Sequence, residues 1–180
     1  MKFCSECGHE VEQKVPEGDD RLRHVCLRCD TIHYQNPRII VGTLPIYEDK
    51  VLLCRRAIEP RSGLWTLPAG FMENAETTVE GALRETWEEA RARPKNEQLY
   101  RMYDLPHINQ VYVFYRAELS EPEFASGPES LDVQLFAEHE IPWDDIAFRV
   151  VTATLSDYFS DRVDNRFEVK VTKIDLQPIR

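Results

Sequence analysis

Four of the five cysteines fall within the first 29 residues, as Cys4, Cys7, Cys26 and Cys29, in two CxxC pairs separated by 18 residues. No other feature narrows the fold as far. At this spacing two short turns each present two thiolates, the donor set of one tetrahedral zinc. Two disulfides or buried free thiols are the competing assignments. Disulfides rarely persist in the cytosol, and a segment of about 35 residues has too little core to fold without a staple. A structural Zn²⁺ ribbon is therefore expected over residues 1–37. His9, His24 and His33 lie close enough in sequence to replace a thiolate, although four cysteines already complete the shell. The segment holds five basic and seven acidic residues, a net charge of -2 that favours a bracing role over nucleic-acid binding. Gln35-Asn36-Pro37 ends the module, because a residue before proline is pushed to extended conformations. Cys54 lies apart in the run VLLC and reads as a small core residue.

The remainder, residues 38–180, is long enough for one domain with a substantial core. Across 180 residues, 42% hydrophobic content with 8 Phe, 7 Tyr and 3 Trp demands burial, which excludes a disordered chain. Net charge is -10, an acidic balance that argues against a polynucleotide partner, since such binding draws its affinity from Lys and Arg. A small phosphorylated ligand remains compatible, because divalent cations can stand between carboxylates and phosphates. No run of about 18 apolar residues exists to span a membrane, and the opening MKFCSECGHE has no apolar stretch to act as a signal peptide. The cytoplasm is the expected location, with no membrane partner.

From Arg38 the pattern is that of strands: RIIVGTLPIY, a turn at Glu48-Asp49-Lys50, then VLLCRR, close enough to pair as a hairpin. LWTLPAG reads as another short strand. Residues 77–90 read as an amphipathic helix with Val79, Leu83 and Trp87 along one stripe, capped by Thr77 or Thr78 and stopped by Pro94. Strands follow around Leu99 to Tyr103 and Val111 to Leu119. After a loop over residues 120–130 come the strand DVQLFAE, a helix from Phe148 to Arg162, and a final strand in FEVKVTKI. This order suggests a mixed sheet between helices.

Within the first helix, Glu85, Glu88 and Glu89 stand at i, i+3 and i+4, so their side chains converge on one patch. Like charges so close destabilise a helix unless a cation neutralises them, and hard divalent ions prefer carboxylate oxygens and water. A solvated charged face is the alternative for glutamates considered alone. Their surroundings decide: GFMENAETTVEGALRETWEEARA resembles the Nudix box, with Gly70, Glu76, Arg84, Glu85, Glu88 and Glu89 on its fixed positions. Two positions depart from it. Thr86 stands at an apolar site, and Arg91 replaces the closing glycine, which puts the helix exit in a left-handed conformation that Arg adopts at some cost.

The resemblance implies a Nudix α/β/α sandwich with a loop-helix-loop catalytic motif, covering the chain from Arg38 onward. A CxxC ribbon ahead of it resembles NADH pyrophosphatases, but YDLPHINQVYVFYRAEL stands where those carry an SQPWPFP-like stretch. LLCRRAIEP, GLWTLPAG, GPESL and LFAEHEIP are more similar to ribbon-bearing plant-type hydrolases of FAD and ADP-ribose. The implied reaction is attack of water on a pyrophosphate between a nucleoside and a moiety X, with Mg²⁺ or Mn²⁺ held by Glu85, Glu88, Glu89 and the Ala69 carbonyl. Arg84 is expected to orient a carboxylate, with Glu76 as partner, and Gly70 to permit a tight strand-to-helix turn. Glu129, in Gly127-Pro128-Glu129, is preferred over Glu121 and Glu123 as general base. Arg55 and Arg56 alternate faces on a strand, so one could meet substrate phosphate; Tyr34, Phe71 and Tyr103 could stack on a base, although a packing role suits each. The resemblance further implies a homodimer. An inactive scaffold with a binding ribbon, and a hydrolase of oxidised nucleoside triphosphates or capped RNA, are the competing readings.

Overall fold

The computed structural model describes residues 1–175; the last five residues of the domain expected over 38–180 lie outside the described residues. The chain divides into two compact units, one over Met1–Pro37 and one beginning at Arg38. In the first, β1 (Val11–Lys14), β2 (Arg23–Cys26) and β3 (Ile32–His33) form a three-stranded antiparallel sheet with Val11 opposite Cys26 and His24 opposite His33. Cys4, Pro16, Val25 and Cys26 are its buried apolar residues, too few to hold a fold without a cross-link or metal.

The second unit is built on β4 (Arg38–Tyr47), β5 (Lys50–Arg56), β8 (Lys95–Leu105), β9 (Gln110–Glu118), β10 (Ser130–Phe136) and β11 (Lys170–Lys173), in the order β10-β5-β4-β9-β8-β11. The sheet is mixed: β4 runs parallel to β9 and antiparallel to β5, while β11 is parallel to β8. LWTLPAG forms two short strands rather than one. β6 (Trp65–Thr66) pairs with β5, and β7 (Ala69–Phe71) pairs with β4, so Leu67 and Pro68 bridge the gap where β4 and β5 part after their hairpin. Gly42 is required at this crossing, because a side chain there would overlap Ala69.

Neighbouring residues on β9 point to opposite faces: Val113 packs with Val41 and Ala82 under α1 (Thr78–Ala90), whereas Phe114 packs with Leu44, Tyr103 and Leu155 under α2 (Arg149–Asp164). The result is the expected α/β/α sandwich. α1 opens on a capping box, with Thr77 Oγ1 accepting from the Glu80 amide and the Glu80 carboxylate accepting from the Thr77 amide.

The expected stripe of Val79, Leu83 and Trp87 is not the face that meets the sheet. Trp87 is 38% exposed, and the buried residues are Gly81, Ala82, Thr86, Glu89 and Ala90. Small side chains occupy the contact because the helix lies close on the strands: a Cβ on Gly81 would fall 2.8 Å from Val41 Cγ2. Thr86 sits at this contact with both hydroxyl needs met, donating to the Ala82 carbonyl at 2.7 Å and sharing a hydrogen bond of 2.6 Å with Thr43.

On the other face, fully buried Arg101 on β8 ties α2 in place. Its guanidinium donates to Asp157 at 2.5 Å, to Asp161 at 2.6 Å and to the Glu168 carbonyl at 2.7 Å. Tyr103, weighed as a stacking partner, is buried in this core beside Thr154. No helix among the described residues is long and apolar enough to cross a membrane.

Candidate functional site

In the first unit the four cysteine sulfurs lie within 4.8 Å of one another. Cys4 and Cys29 Sγ are 3.7 Å apart and Cys7 and Cys26 Sγ 3.4 Å, near the edge of roughly 3.8 Å that a tetrahedron with Zn–S of about 2.3 Å requires. Backbone amides of Glu6 and Arg28 donate to Cys4 and Cys26 Sγ, each at 3.4 Å, as the turns curl around the sulfurs. An all-sulfur donor set with this geometry fits Zn²⁺. His33 does not replace a thiolate; its Nε2 lies 3.3 Å from Cys4 Sγ.

The second site forms where β7 passes the middle of α1. Gly70 lies inside β7 rather than at a turn, and a Cβ there would push the Glu85 carboxylate aside from its present place. The chain reverses later, at Ala75, which takes a positive φ of 66°. Arg84 grips Glu76 through two hydrogen bonds, Nε to Oε2 at 3.0 Å and Nη2 to Oε1 at 2.9 Å, a fork-to-fork pair of the strong kind. That contact holds the Glu76 carboxyl down at about 2. Arg84 Nη1 also reaches Glu85 at 2.7 Å and Glu88 at 3.0 Å, and its Nη2 reaches the Phe71 carbonyl at 3.1 Å.

Glu89 points the other way, toward β7, accepting from the Ala69 amide at 3.1 Å. It is 6% exposed, and burial pushes its carboxyl up to about 8 against the pull of that amide. Burial raises Glu85 as well, with Arg84 opposing. Among the described residues the four thiols form the gathered donor set; the three helix carboxylates are spread, two on Arg84 and one on β7. Hard oxygen donors, one of them a buried carboxylate with a single amide partner, nevertheless suit Mg²⁺ or Mn²⁺ in kind.

Two further segments converge here. Glu129 occupies a turn closed by Ser130 N donating to the Gly127 carbonyl at 3.1 Å, and its charge acts on both Glu85 and Glu89. Arg56, at the end of β5, faces Glu89 electrostatically and stacks on Phe148 with its guanidinium carbon 5.1 Å from the ring centre. Arg55 is exposed and donates to the Gly63 carbonyl at 2.8 Å. Phe71 is exposed under the guanidinium of Arg38, 5.1 Å from its ring centre. Tyr34 lies in the other unit, exposed beneath Arg23. The helix leaves through Arg91 at φ 51°, in the left-handed conformation the replaced glycine would have taken without strain.

Sequence reasoning assigned no role to Arg38, Gly42 or Gly81. A glycine inside a helix, costing about 1 kcal/mol against alanine, was the readable sign at Gly81.

Comparison with known proteins matches these features. The family model described as Nudix N-terminal covers residues 2–35, and that of the NUDIX domain covers residues 36–154. A NUDIX hydrolase from Nitrosomonas europaea is similar in structure at a TM-score of 0.94 with 55% identity, over 98% of this chain and 100% of that one. The NAD-capped RNA hydrolase NudC of Edwardsiella ictaluri is 29% identical over 132 residues, 72% of this chain and 49% of that protein. The chain thus spans about half the length of the curated relatives it matches. A bifunctional NMN adenylyltransferase/ADP ribose pyrophosphatase from Francisella tularensis, solved with AMP and a manganese ion, shares the fold at a TM-score of 0.63 and 19% identity, over 71% of this chain and 42% of that one. With the domain model matched over residues 36–154 and its ribbon model over the residues before it, the chain belongs to the NUDIX family.

Proposed function

We propose that the chain hydrolyses the pyrophosphate of a nucleoside diphosphate linked to a second moiety, ADP-ribose or FAD being the leading substrates, to AMP and a phosphorylated product. The observation that carries this reading is the carboxylate patch of α1, with Arg84 pinned to Glu76 and Glu89 buried against β7.

Glu85, Glu88, Glu89 and the Ala69 carbonyl are the residues that would hold Mg²⁺ or Mn²⁺, which when bound neutralises the pyrophosphate oxygens and acidifies the attacking water. Arg84 fixes the direction of the carboxylates it touches, and Gly70 gives Glu85 room beside β7. Glu129 takes the proton as the water oxygen bonds to phosphorus and the bridging P–O bond breaks. Arg56, whose charge favours ionised Glu89, receives a phosphate of the substrate, with Arg55 held on the Gly63 carbonyl instead. Exposed Phe71 offers a ring face to the base.

A second reading is favoured by the relatives named NAD-capped RNA hydrolases, since NAD is itself a pyrophosphate-linked dinucleotide. The net charge of -10 weighs toward the free dinucleotide over the capped RNA. Incubation with Mg²⁺ and a panel of ADP-ribose, FAD, NADH and 8-oxo-dGTP, followed by product analysis, tests both readings. AMP is expected from the first two, lowered roughly 100-fold or more by Glu88→Gln. No turnover of any panel member, with Mn²⁺ also tried, would overturn the proposal in favour of a binding scaffold.

A further inference from the structure

The loop that carries Glu129 is attached to the end of the carboxylate helix itself. A helix leaves its last four carbonyls without intrahelical partners. In α1 the Trp87 carbonyl accepts from the Arg91 amide at 3.0 Å, but those of Glu89 and Ala90 accept from residues far along the chain. Gly127 N donates to the Glu89 carbonyl and Ala125 N to the Ala90 carbonyl, each at 2.9 Å. The Glu88 carbonyl lies directly against Gly127, where any Cβ would overlap it. Gly127 is buried, and only a residue without a side chain lets the loop come down on the helix end.

From that contact the chain has little freedom before Glu129. Pro128 fixes φ at the second position of the turn, a place that suits it, and Ser130 N closes the turn on the Gly127 carbonyl. The Glu129 carbonyl accepts from Ala57 N at 2.8 Å, and Ser130 pairs with Arg56 across β10 and β5. The turn is therefore hung between the end of α1 and the end of β5, the two elements that supply Glu89 and Arg56.

We propose that Gly127 is a positioning residue of the active centre: by resting its bare Cα on the end of the carboxylate helix, it holds the turn that carries Glu129, two residues on, between the ends of α1 and β5. Its catalytic meaning rests on the pyrophosphatase reading, whereas its effect on the charge of the metal-binding patch does not. Glu129 adds negative charge at that patch, so displacing it weakens divalent-ion binding whether its carboxylate is removed or its turn is lifted away.

The test is a double-mutant cycle on Mn²⁺ affinity, read from the electron spin resonance of free Mn²⁺, with Gly127→Ala, Glu129→Gln and the combined variant. Each single change is expected to weaken binding by about 3- to 10-fold, a plausible size for one nearby charge in a partly solvated site. The combination is expected to bind no more weakly than the weaker single variant, since both act through the same carboxylate. Where substrate is turned over, both single variants lower kcat with little change in KM. Wild-type affinity in Gly127→Ala, or losses that multiply in the combined variant, would overturn the proposal. Should Gly127→Ala fail to fold by circular dichroism, Pro128→Gly, which loosens the turn without adding atoms at the contact, takes its place in the same cycle. Mn²⁺ binding without AMP release from any substrate would defeat the pyrophosphatase reading while the cycle still judges Gly127. No Mn²⁺ binding by the wild-type protein would defeat both.

Discussion

Glu89 is the residue under most tension, a carboxyl 6% exposed whose acidity burial weakens to about 8. Its folded value lies above the ordinary one of about 4.3, so the ion-free protein favours the neutral form. The linked stability is full below about pH 4 and is lost as pH rises through about 8. On the proposed assignment a divalent ion needs the charged form, so ion and proton compete for Glu89. Mn²⁺ affinity is therefore expected to climb from pH 6 to about 8 and then level off, with Glu89→Gln removing most of that dependence. Calorimetry at pH 7 in buffers of different ionisation enthalpy should register roughly one proton released per ion. An affinity flat across this range would disprove the coupling. The spacing of Glu85, Glu88 and Glu89 was legible in the sequence, as was the pairing of Arg84 with Glu76 across eight residues. What was not legible is which carboxylate is buried, because that depends on β7 passing the helix, and no local pattern encodes the approach.

At the scale of elements, the hairpin of β4 and β5, the two helices and the capping Thr77 could be read locally, since turn residues and periodicity are properties of a short stretch. The face of α1 could not: large apolar residues were expected inward, but close contact with the sheet selects Gly81, Ala82 and Thr86. Nor could the docking of the 120–130 loop, whose main-chain hydrogen bonds join residues 35 and 38 positions apart and whose one side-chain requirement, the bare Gly127, forms no local pattern. The ribbon is the opposite case. Four cysteines determine it, and its apolar core is so small that the metal must supply most of its folding free energy, of the order of 10 kcal/mol for structural zinc. Protein purified without chelator should carry about one zinc per chain. Its removal, or Cys26→Ala, should raise amide hydrogen exchange across β1, β2 and β3 to near unfolded rates. Protection that survives complete loss of zinc would show that the sheet stands on its own contacts.

The charge of the whole molecule separates the two substrate readings more sharply than any single residue does. At a net charge of -10 the protein repels a polyanion over roughly 20–30 Å in dilute salt, whereas a free dinucleotide carries only a few charges of its own. Proteins that grip a phosphate backbone with Lys and Arg lose affinity steeply as salt rises. This chain should do the reverse. For an NAD-capped oligonucleotide, kcat/KM is expected to start below that for free NADH at about 20 mM salt and to rise several-fold by about 150 mM, as screening removes the repulsion. For NADH the change over the same range should be smaller. The comparison cancels effects of salt on Mg²⁺ binding, because both substrates use the same centre. A capped-RNA rate that instead falls steeply with salt, in the manner of counterion release, would mean that a basic surface engages the RNA body despite the acidic total, and the capped-RNA reading would then take precedence.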